Sequence, residues 1–380
     1  PLKILYHHRI ASKDGQYVHV EELTNAFIEL GHELTFVAPE FSKKAEFGDD
    51  GGISAKLKKA LPKAAYEILE LGYSFVVAFK LISAILKSRP DFIYERYNLH
   101  QPAGVMVAKL FKIPLLLEVN APLVDEREKY SGLALKKLAR VIENFTWRNA
   151  DVVLPVTAVL GKIIENTGVE AKAIQVIHNG INKNALDREF ALKETFDSDK
   201  ITIGFVGFIN PWHRLDLAIE AIADHKDKDI QLVCVGDGDI KPELEQQAIK
   251  LGIADKVTFT GLLTRSEVFK TIQTFDIALQ PSVTAYASPL KLFEYMAASC
   301  LIIAPRSDNI CEIISEQNAV LFKLDDYIDF SDKLTQVIGN FEDCNIKRKL
   351  AREAINTQQF TWQANANRVV QLAQDAIDRQ

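Results

Sequence analysis

The sequence predicts an α/β protein of two doubly wound domains facing each other across a cleft, and three observations carry that expectation. Short apolar runs alternate with longer amphipathic stretches from end to end, the pattern of strands joined by crossover helices into parallel sheets. The alternation lapses after Gly180 into a polar, charged stretch through Lys200 and then resumes. Finally, 380 residues exceed the roughly 250–300 over which one hydrophobic core usually grows. The expected boundaries are 1–185 for the first domain and 186–360 for the second, with 361–380 a terminal helix packing back toward the first.

The elements follow in order. Apolar runs at 2–7, 33–38, 91–94, 114–119, 151–155 and 174–177 read as the first set of strands. The first helix, 17–30, ends at Gly31, where a glycine just past the last turn belongs. A second ladder runs through 201–206, 231–235, 257–260, 277–280 and 301–304, and a final helix covers 362–379. In open parallel sheets ligands bind beyond the carboxyl ends of the strands. That rule selects His7 to Arg9, Asp14 and Gly15, Arg96, Asn120, Asn179 and Gly180, Gly207 to Arg214, Gly236 to Asp239, Gly261, and Ser282 to Lys291.

Bulk properties narrow the class. Hydrophobic residues make up 48% of the chain and charged residues 25%, which supports folded cores and excludes disorder. Cys234, Cys300, Cys311 and Cys344 form no C-x-x-C and have apolar neighbours, so reduced core thiols are expected, without disulfide or zinc. The chain opens directly on a strand pattern rather than a leader, which points to the cytoplasm. The longest apolar segment, 71–86, is broken by Ser74, Lys80 and Ser83. It falls short of the roughly 20 residues a spanning helix needs, so no crossing is expected.

A net charge of −6 gives no reason to expect a nucleic-acid partner. The charge is uneven, about +2 over 1–180 and −8 over 181–380. Lys56, Lys58, Lys59, Lys63, Lys80, Lys87 and Arg89 interleave with Tyr66, Tyr73, Phe75 and Phe79. Two readings stand: peripheral contact with anionic lipid, or a solvated helix face covering core, which is the favoured one.

The run from Ser288 to Ala298 carries the most chemistry. Ser288 and Pro289 read as N-cap and first helical residue. Leu290, Phe293 and Ala297 form one apolar stripe, which leaves Lys291 and Glu294, three apart, on a neighbouring face. A helix N-terminus with a lysine grips phosphate, and a carboxylate one turn in accepts two adjacent hydroxyls. A ribose joined to a diphosphate fits this grip; the alternative is a surface helix with a local Lys/Glu pair.

This run resembles the C-terminal donor motif of the retaining, GT-B-fold glycosyltransferases of family 4, where a glutamate before Tyr-Met-Ala contacts the nucleotide ribose. Other segments agree in order. Asp14-Gly15-Gln16-Tyr17-Val18-His19 resembles the family's Gly-Gly-x-x-x-His loop, and Gly31-His32-Glu33-Leu34 its Gly-His-Glu-Val. His178-Asn179-Gly180-Ile181-Asn182 resembles Asn-Gly-Val-Asp, Pro211-Trp212-His213 the donor loop, and Val235-Gly236-Asp237-Gly238 its Val-Gly-x-Gly. The resemblance implies two Rossmann-like domains and a retaining, hexosyl-type glycosyltransferase (EC 2.4). Its donor would be a UDP- or GDP-sugar and its acceptor a glycan or lipid-linked saccharide, in surface polysaccharide or glycoconjugate synthesis.

Departures from the family pattern shape the site expectations. The first acid of the family's Glu-x7-Glu falls on Tyr286, and the basic residues after the first C-terminal strand fall on Phe208 and His213, with Arg214 adjacent. Diphosphate neutralisation then rests on Lys291, Arg214 and His213 with the amides of Gly15 and Ser288. Glu294, Tyr286, Pro289, Leu290, Gly207 and Gly261 complete the donor set. A family histidine aligns with Asn120, and Asn120, Arg9, Arg96, His100 and Glu118 are the acceptor-side candidates. His7, His8, His19 and His100 are the remaining titratable candidates in or near the cleft, and for each a structural histidine is the favoured reading over a catalyst.

In a front-face transfer the leaving diphosphate takes the acceptor's proton, so cations and amide dipoles are the groups that matter. Asp-x-Asp occurs at Asp197/Asp199, Asp227/Asp229 and Asp237/Asp239, in positions that suit exposed acids or a backbone turn. No metal and no cofactor are expected. A nicotinamide dehydrogenase is disfavoured, since Gly236-x-Gly238 lacks its third glycine. An epimerase or phosphorylase lacks its acid cluster or cofactor lysine. A catalytically silent nucleotide-sugar-binding or scaffold protein is the alternative that Tyr286, Phe208 and Asn120 keep open.

Overall fold

The structure, a computed structural model, describes residues 1–13, 15–40, 53–197 and 199–380; Asp14 of the 14–19 loop lies outside them. Two compact units emerge, Pro1–His178 with Trp362–Gln380, and Asn179–Thr361.

In the N-terminal unit the elements are β1 (Lys3–His7), α1 (Gly15–Glu29), β2 (Glu33–Val37), α2 (Ile53–Ala60), α3 (Lys63–Ser88), β3 (Phe92–Arg96), α4 (Ala103–Phe111), β4 (Leu115–Val119), α5 (Leu123–Tyr130), α6 (Lys136–Asn149), β5 (Val152–Pro155) and α7 (Ala158–Glu165). The strands pair in parallel in the order β2-β1-β3-β4-β5, with Leu5 opposite Thr35 on one side and Ile93 on the other. Strands β3 and β4 are buried along their whole length, as strands covered by helices on both faces must be. Gly31 takes φ +84 after α1, the left-handed turn expected at that helix end.

The C-terminal unit holds α8 (Lys183–Arg188), β6 (Lys200–Val206), α9 (Leu215–Asp224), β7 (Asp229–Val235), α10 (Lys241–Lys250), β8 (Val257–Phe259), α11 (Arg265–Ile272), β9 (Ile277–Leu279), α12 (Leu290–Ala297), β10 (Leu301–Pro305), β11 (Val320–Phe322), α13 (Tyr327–Gly339) and α14 (Asn345–Thr357). Its sheet runs β11-β10-β9-β6-β7-β8, again parallel. The last helix, α15 (Trp362–Asp378), belongs to the first unit: Trp362 is fully buried there, 4.7 Å from the His19 ring.

Several expectations need correction. Residues 174–177 form no strand; they leave β5 through a single bridge, Val153 to Ile174. The units divide at 178/179 rather than 185/186, because Ile181, Ala185, Leu186 and Phe190 join the core of the second unit. Strand β11, three residues long, carried too little pattern to be read. Cys234 and Cys300 are buried, with burial pushing both thiols up to about 12, but Cys311 is exposed and Cys344 partly so. Helix α3 is longer than the apolar segment within it and, by length and composition alone, long enough to cross a membrane. In the structure its inner face, Ser74, Val77, Leu81 and Ile85, is buried in the N-terminal unit.

Two buried arginines on α14 tie the second unit together. Arg348 donates to the Ser299 carbonyl and Asp276. Arg352 donates to the carbonyls of Phe190, Ala297 and Leu186 at 3.1, 2.5 and 3.1 Å, so it binds the ends of α8 and α12 at once. A buried acceptor left unmade costs roughly 1–3 kcal/mol. Arg352→Met is therefore expected to lower unfolding stability by about 2–4 kcal/mol in urea titration; an unchanged midpoint would show the clamp to be redundant.

Candidate active site

The C-terminal ends of β6, β7, β8 and β9 and the start of α12 bring most donor-side candidates together. Val206 ends β6, and both of its backbone groups are taken by α12. The Tyr295 hydroxyl accepts from the Val206 amide at 3.0 Å and donates to the Leu279 carbonyl at 3.2 Å. One turn earlier, the Lys291 ammonium donates to the Val206 carbonyl at 2.7 Å and lies 4.8 Å from the Phe205 ring centroid. Burial lowers the Lys291 pKa to about 8, although Glu294 works in the other direction. The amine is a cation at neutral pH with few solvent partners, which suits it to an incoming anion.

Above this lysine the chain turns through glycine. Gly207 has φ +146, and a Cβ there would sit 2.9 Å from the Lys291 nitrogen. Gly236, φ +126, donates to the Gly261 carbonyl, and a Cβ on it would fall 2.1 Å from the Gly207 oxygen. The three strand ends thus pack backbone against backbone beside the cation, an arrangement that admits no side chain.

The loop before α12 is held from two directions. Asn179 donates its amide to the Ser288 hydroxyl at 3.1 Å and its side chain to the Ser288 carbonyl at 2.9 Å. The fully buried Asn309 donates to the carbonyls of Thr284 and Ala287 at 2.9 and 2.8 Å. Tyr286 is carried between these ties and is half-buried, as is Glu294 on the helix.

The structure corrects four donor-side expectations. Ser288 is not the N-cap: Pro289 occupies that position without a side-chain cap, and the serine hydroxyl serves Asn179 instead. Leu290 is half-exposed, while Leu292, Phe293, Tyr295, Met296 and Ala297 are buried, because the helix is covered on more than one side. His213 is no cation near neutrality: burial, then Lys291, lowers it to about 4 against the pull of the Phe208 carbonyl. Its Nδ1 accepts from the Asn210 amide, and its ring packs 4.8 Å from Phe205. Arg214 is already paired, with both Asp216 oxygens at 3.0 and 3.1 Å. Gly15 opens α1 in the other unit, with open space around it.

In the N-terminal unit Glu118 is the hub. Its carboxylate accepts from Tyr94 at 2.6 Å, Arg96 at 2.9 Å and Asn120 at 2.7 Å, and lies 2.8 Å from His19 Nε2. Burial would raise its pKa, but His19 and Arg96 outweigh it and hold the group well below the usual carboxylate range. With these partners and almost no exposure, Glu118 holds Arg96 and Asn120 in place. His7 pairs with Glu95, and burial, His7 and Arg96 lower His8 to about 4.

Arg9 lies 4.4 Å over the Tyr73 ring, and His100, φ +59, has its Nδ1 3.8 Å from Glu70. Glu70 pairs with both terminal nitrogens of Arg127 at 2.9 and 2.6 Å. Arg9, Glu70, Tyr66, Tyr73, Asn98 and Gln101 line a cavity of about 640 Å³, the natural place for a bulky, partly apolar ligand. Sequence reading missed this cavity, Tyr295 and Asn309, whose roles depend on contacts far apart in the chain.

A family model described as Glycosyltransferase Family 4 matches residues 13–185, and one described as Glycosyl transferases group 1 matches residues 200–340. The chain belongs to this family of glycosyltransferases. Sulfoquinovosyl transferase SQD2 of Arabidopsis thaliana is 25% identical over 358 residues, 90% of this chain and 66% of that protein. The 2-deoxystreptamine glucosyltransferase of Streptomyces kanamyceticus is 24% identical over 193 residues, 48% of this chain and 50% of its own. The chain therefore spans less than two thirds of these relatives. Among solved structures, Anabaena HepE in complex with UDP matches with a TM-score of 0.70 at 15% identity, over 98% of this chain and 100% of that one. Sucrose-phosphate synthase from Thermosynechococcus elongatus matches at 0.69 and 18%, over the whole of both chains. The fold is GT-B, with two Rossmann-like domains.

Two variants test the backbone packing. Gly236→Ala meets both a strained φ and the Gly207 carbonyl, so a loss of about 2–4 kcal/mol is expected. Gly15→Ala, in open space, should cost well under about 1 kcal/mol. Equal melting temperatures would contradict the packing described.

Proposed function

We propose that the chain is a retaining, metal-independent hexosyltransferase that moves a sugar from a UDP-sugar to a hydroxyl of a glycan or lipid-linked saccharide. The observation that carries this reading is the Lys291 ammonium beneath the Gly207 turn, one helical turn from Glu294. Membership of the family and a structural neighbour solved with UDP support a nucleotide-sugar donor. Lys291 receives the diphosphate, Glu294 the ribose hydroxyls, and the loop carrying Tyr286 the sugar. The acceptor oxygen attacks C1 on the face the diphosphate leaves. The C1–phosphate oxygen bond breaks, the new glycosidic bond forms, and the acceptor's proton passes to the departing phosphate oxygen. No protein nucleophile is used; charge stabilisation by Lys291 and backbone amides lowers the barrier. The reaction belongs to surface polysaccharide or glycoconjugate synthesis at the cytoplasmic face of a membrane.

Titration calorimetry with UDP, GDP and ADP tests the donor, with UDP expected to bind most tightly. A hydrogen bond to a charged group contributes ~1.5–3 kcal/mol, so Glu294→Ala should weaken nucleotide binding about 10- to 100-fold. Lys291→Ala should lower both UDP affinity and turnover, and wild-type activity in both variants would refute the site. Nucleotide binding without turnover on any acceptor would favour the silent, scaffold reading.

Affinity should also depend on pH in a definite sense. Lys291 is protonated below about 8 and neutral above it. UDP affinity should be flat from pH 6.5 to 7.5 and fall above 8, and the fall should vanish in Lys291→Met. Turnover is expected to survive EDTA; complete loss restored by magnesium would overturn the metal-independent mechanism.

A further inference from the structure

Helix α3 presents two apolar faces. One is buried in its own unit; the other has no described partner. Ile68, Phe75, Phe79 and Leu86 stand at i, i+7, i+11 and i+18, which places them along one line of the α-helix, about 27 Å from first to last. They are 58, 74, 75 and 64% exposed. This line lies opposite the buried residues Ser74, Val77, Leu81 and Ile85. Single exposed phenylalanines are ordinary, but a continuous aromatic and aliphatic line along a helix marks a surface that meets something apolar.

Charge identifies what it meets. Helices α2 and α3 carry six lysines, Lys56, Lys58, Lys59, Lys63, Lys80 and Lys87, all exposed. Their two acids are turned inward: Glu67 accepts from the amides of Ala134 and Leu135, and Glu70 pairs with Arg127. Among the described residues of these two helices, the outward charge is therefore positive. A second copy of the chain docking here would set lysines against lysines. An acyl boundary beneath anionic headgroups satisfies both features, since phenylalanine enters the boundary while lysine stems reach up to phosphate.

We propose that this face of α3, with the lysines of α2, docks in the plane of an anionic phospholipid bilayer. Lying in the interface rather than crossing it keeps the inner face of α3 on its own unit and the Glu70–Arg127 pair intact. Leu57, Tyr66, Leu69 and Tyr73 of the same two helices line the 640 Å³ cavity, so the cavity opens beside the docked surface. Given the transferase reading above, and resting on it, that position suits an acceptor whose lipid portion stays in the bilayer.

Flotation of the full chain with vesicles tests docking without relying on catalysis. Wild type should float with phosphatidylcholine vesicles containing 30% phosphatidylglycerol, should stay down with pure phosphatidylcholine, and should be released by 0.5 M salt. Phe75→Ser with Phe79→Ser should abolish flotation at unchanged melting temperature. Reversing Lys56, Lys58 and Lys59 to glutamate should lower partitioning about 100-fold or more. All variants should retain UDP affinity, which separates failure of docking from failure of the transferase reading. No flotation of wild type on anionic vesicles, flotation undiminished in both sets of variants, or a concentration-dependent dimer that the serine pair dissolves would each overturn the proposal.

Discussion

The donor-side arrangement depends on one contact: both backbone groups of Val206, at the end of β6, are taken by side chains of a single helix. A parallel strand ordinarily leaves its last peptide groups to solvent or to a loop. Here the Tyr295 hydroxyl and the Lys291 ammonium, four residues apart on α12, complete them. The register of α12 against the sheet is thereby fixed to within a hydrogen bond. The same contact holds Lys291 half-buried, and burial brings its amine to about 8. A cation kept from water by protein on most sides gains more from an arriving diphosphate than one already solvated.

The surrounding features serve that geometry. Glycines at the ends of β6 and β7 let backbone approach backbone beside the lysine, and Asn179 and Asn309 hold the loop that leads into α12. Arg352 then fixes the far end of α12 through the Ala297 carbonyl. The N-terminal unit uses a different device, a buried carboxylate. Glu118 gathers Tyr94, Arg96, His19 and Asn120 around itself, and the ionised form is sustained because its partners outweigh the cost of burial. Two units of similar topology thus organise their strand ends by unlike means, one with a lysine on a helix, the other with a glutamate on a strand.

Much of this was legible in sequence, and the reasons differ by element. Strands such as β1, β4 and β6 are continuous apolar runs between turn residues, so their existence and the parallel class followed from pattern. The run from Ser288 to Ala298 disclosed the helix and its two polar residues. What pattern could not disclose was their partners. Ser288 has the chemistry of a cap, yet a tertiary hydrogen bond to Asn179 competes for its hydroxyl and prevails. Arg214 and His213 have the right charge type for a diphosphate, yet Asp216 and burial each remove them. Residues 174–177 have strand composition without a full ladder of hydrogen bonds. Periodicity reports which face of an element is apolar; long-range pairing decides what its polar atoms do.

The most direct measurement of the central claim is a crystal structure of the chain soaked with UDP. A diphosphate oxygen is expected within about 2.7–3.1 Å of Lys291 Nζ, with the ribose hydroxyls on the Glu294 carboxylate and α12 unmoved against Val206. UDP bound away from α12, or bound at the strand ends with Lys291 still engaged only with the Val206 carbonyl, would contradict it.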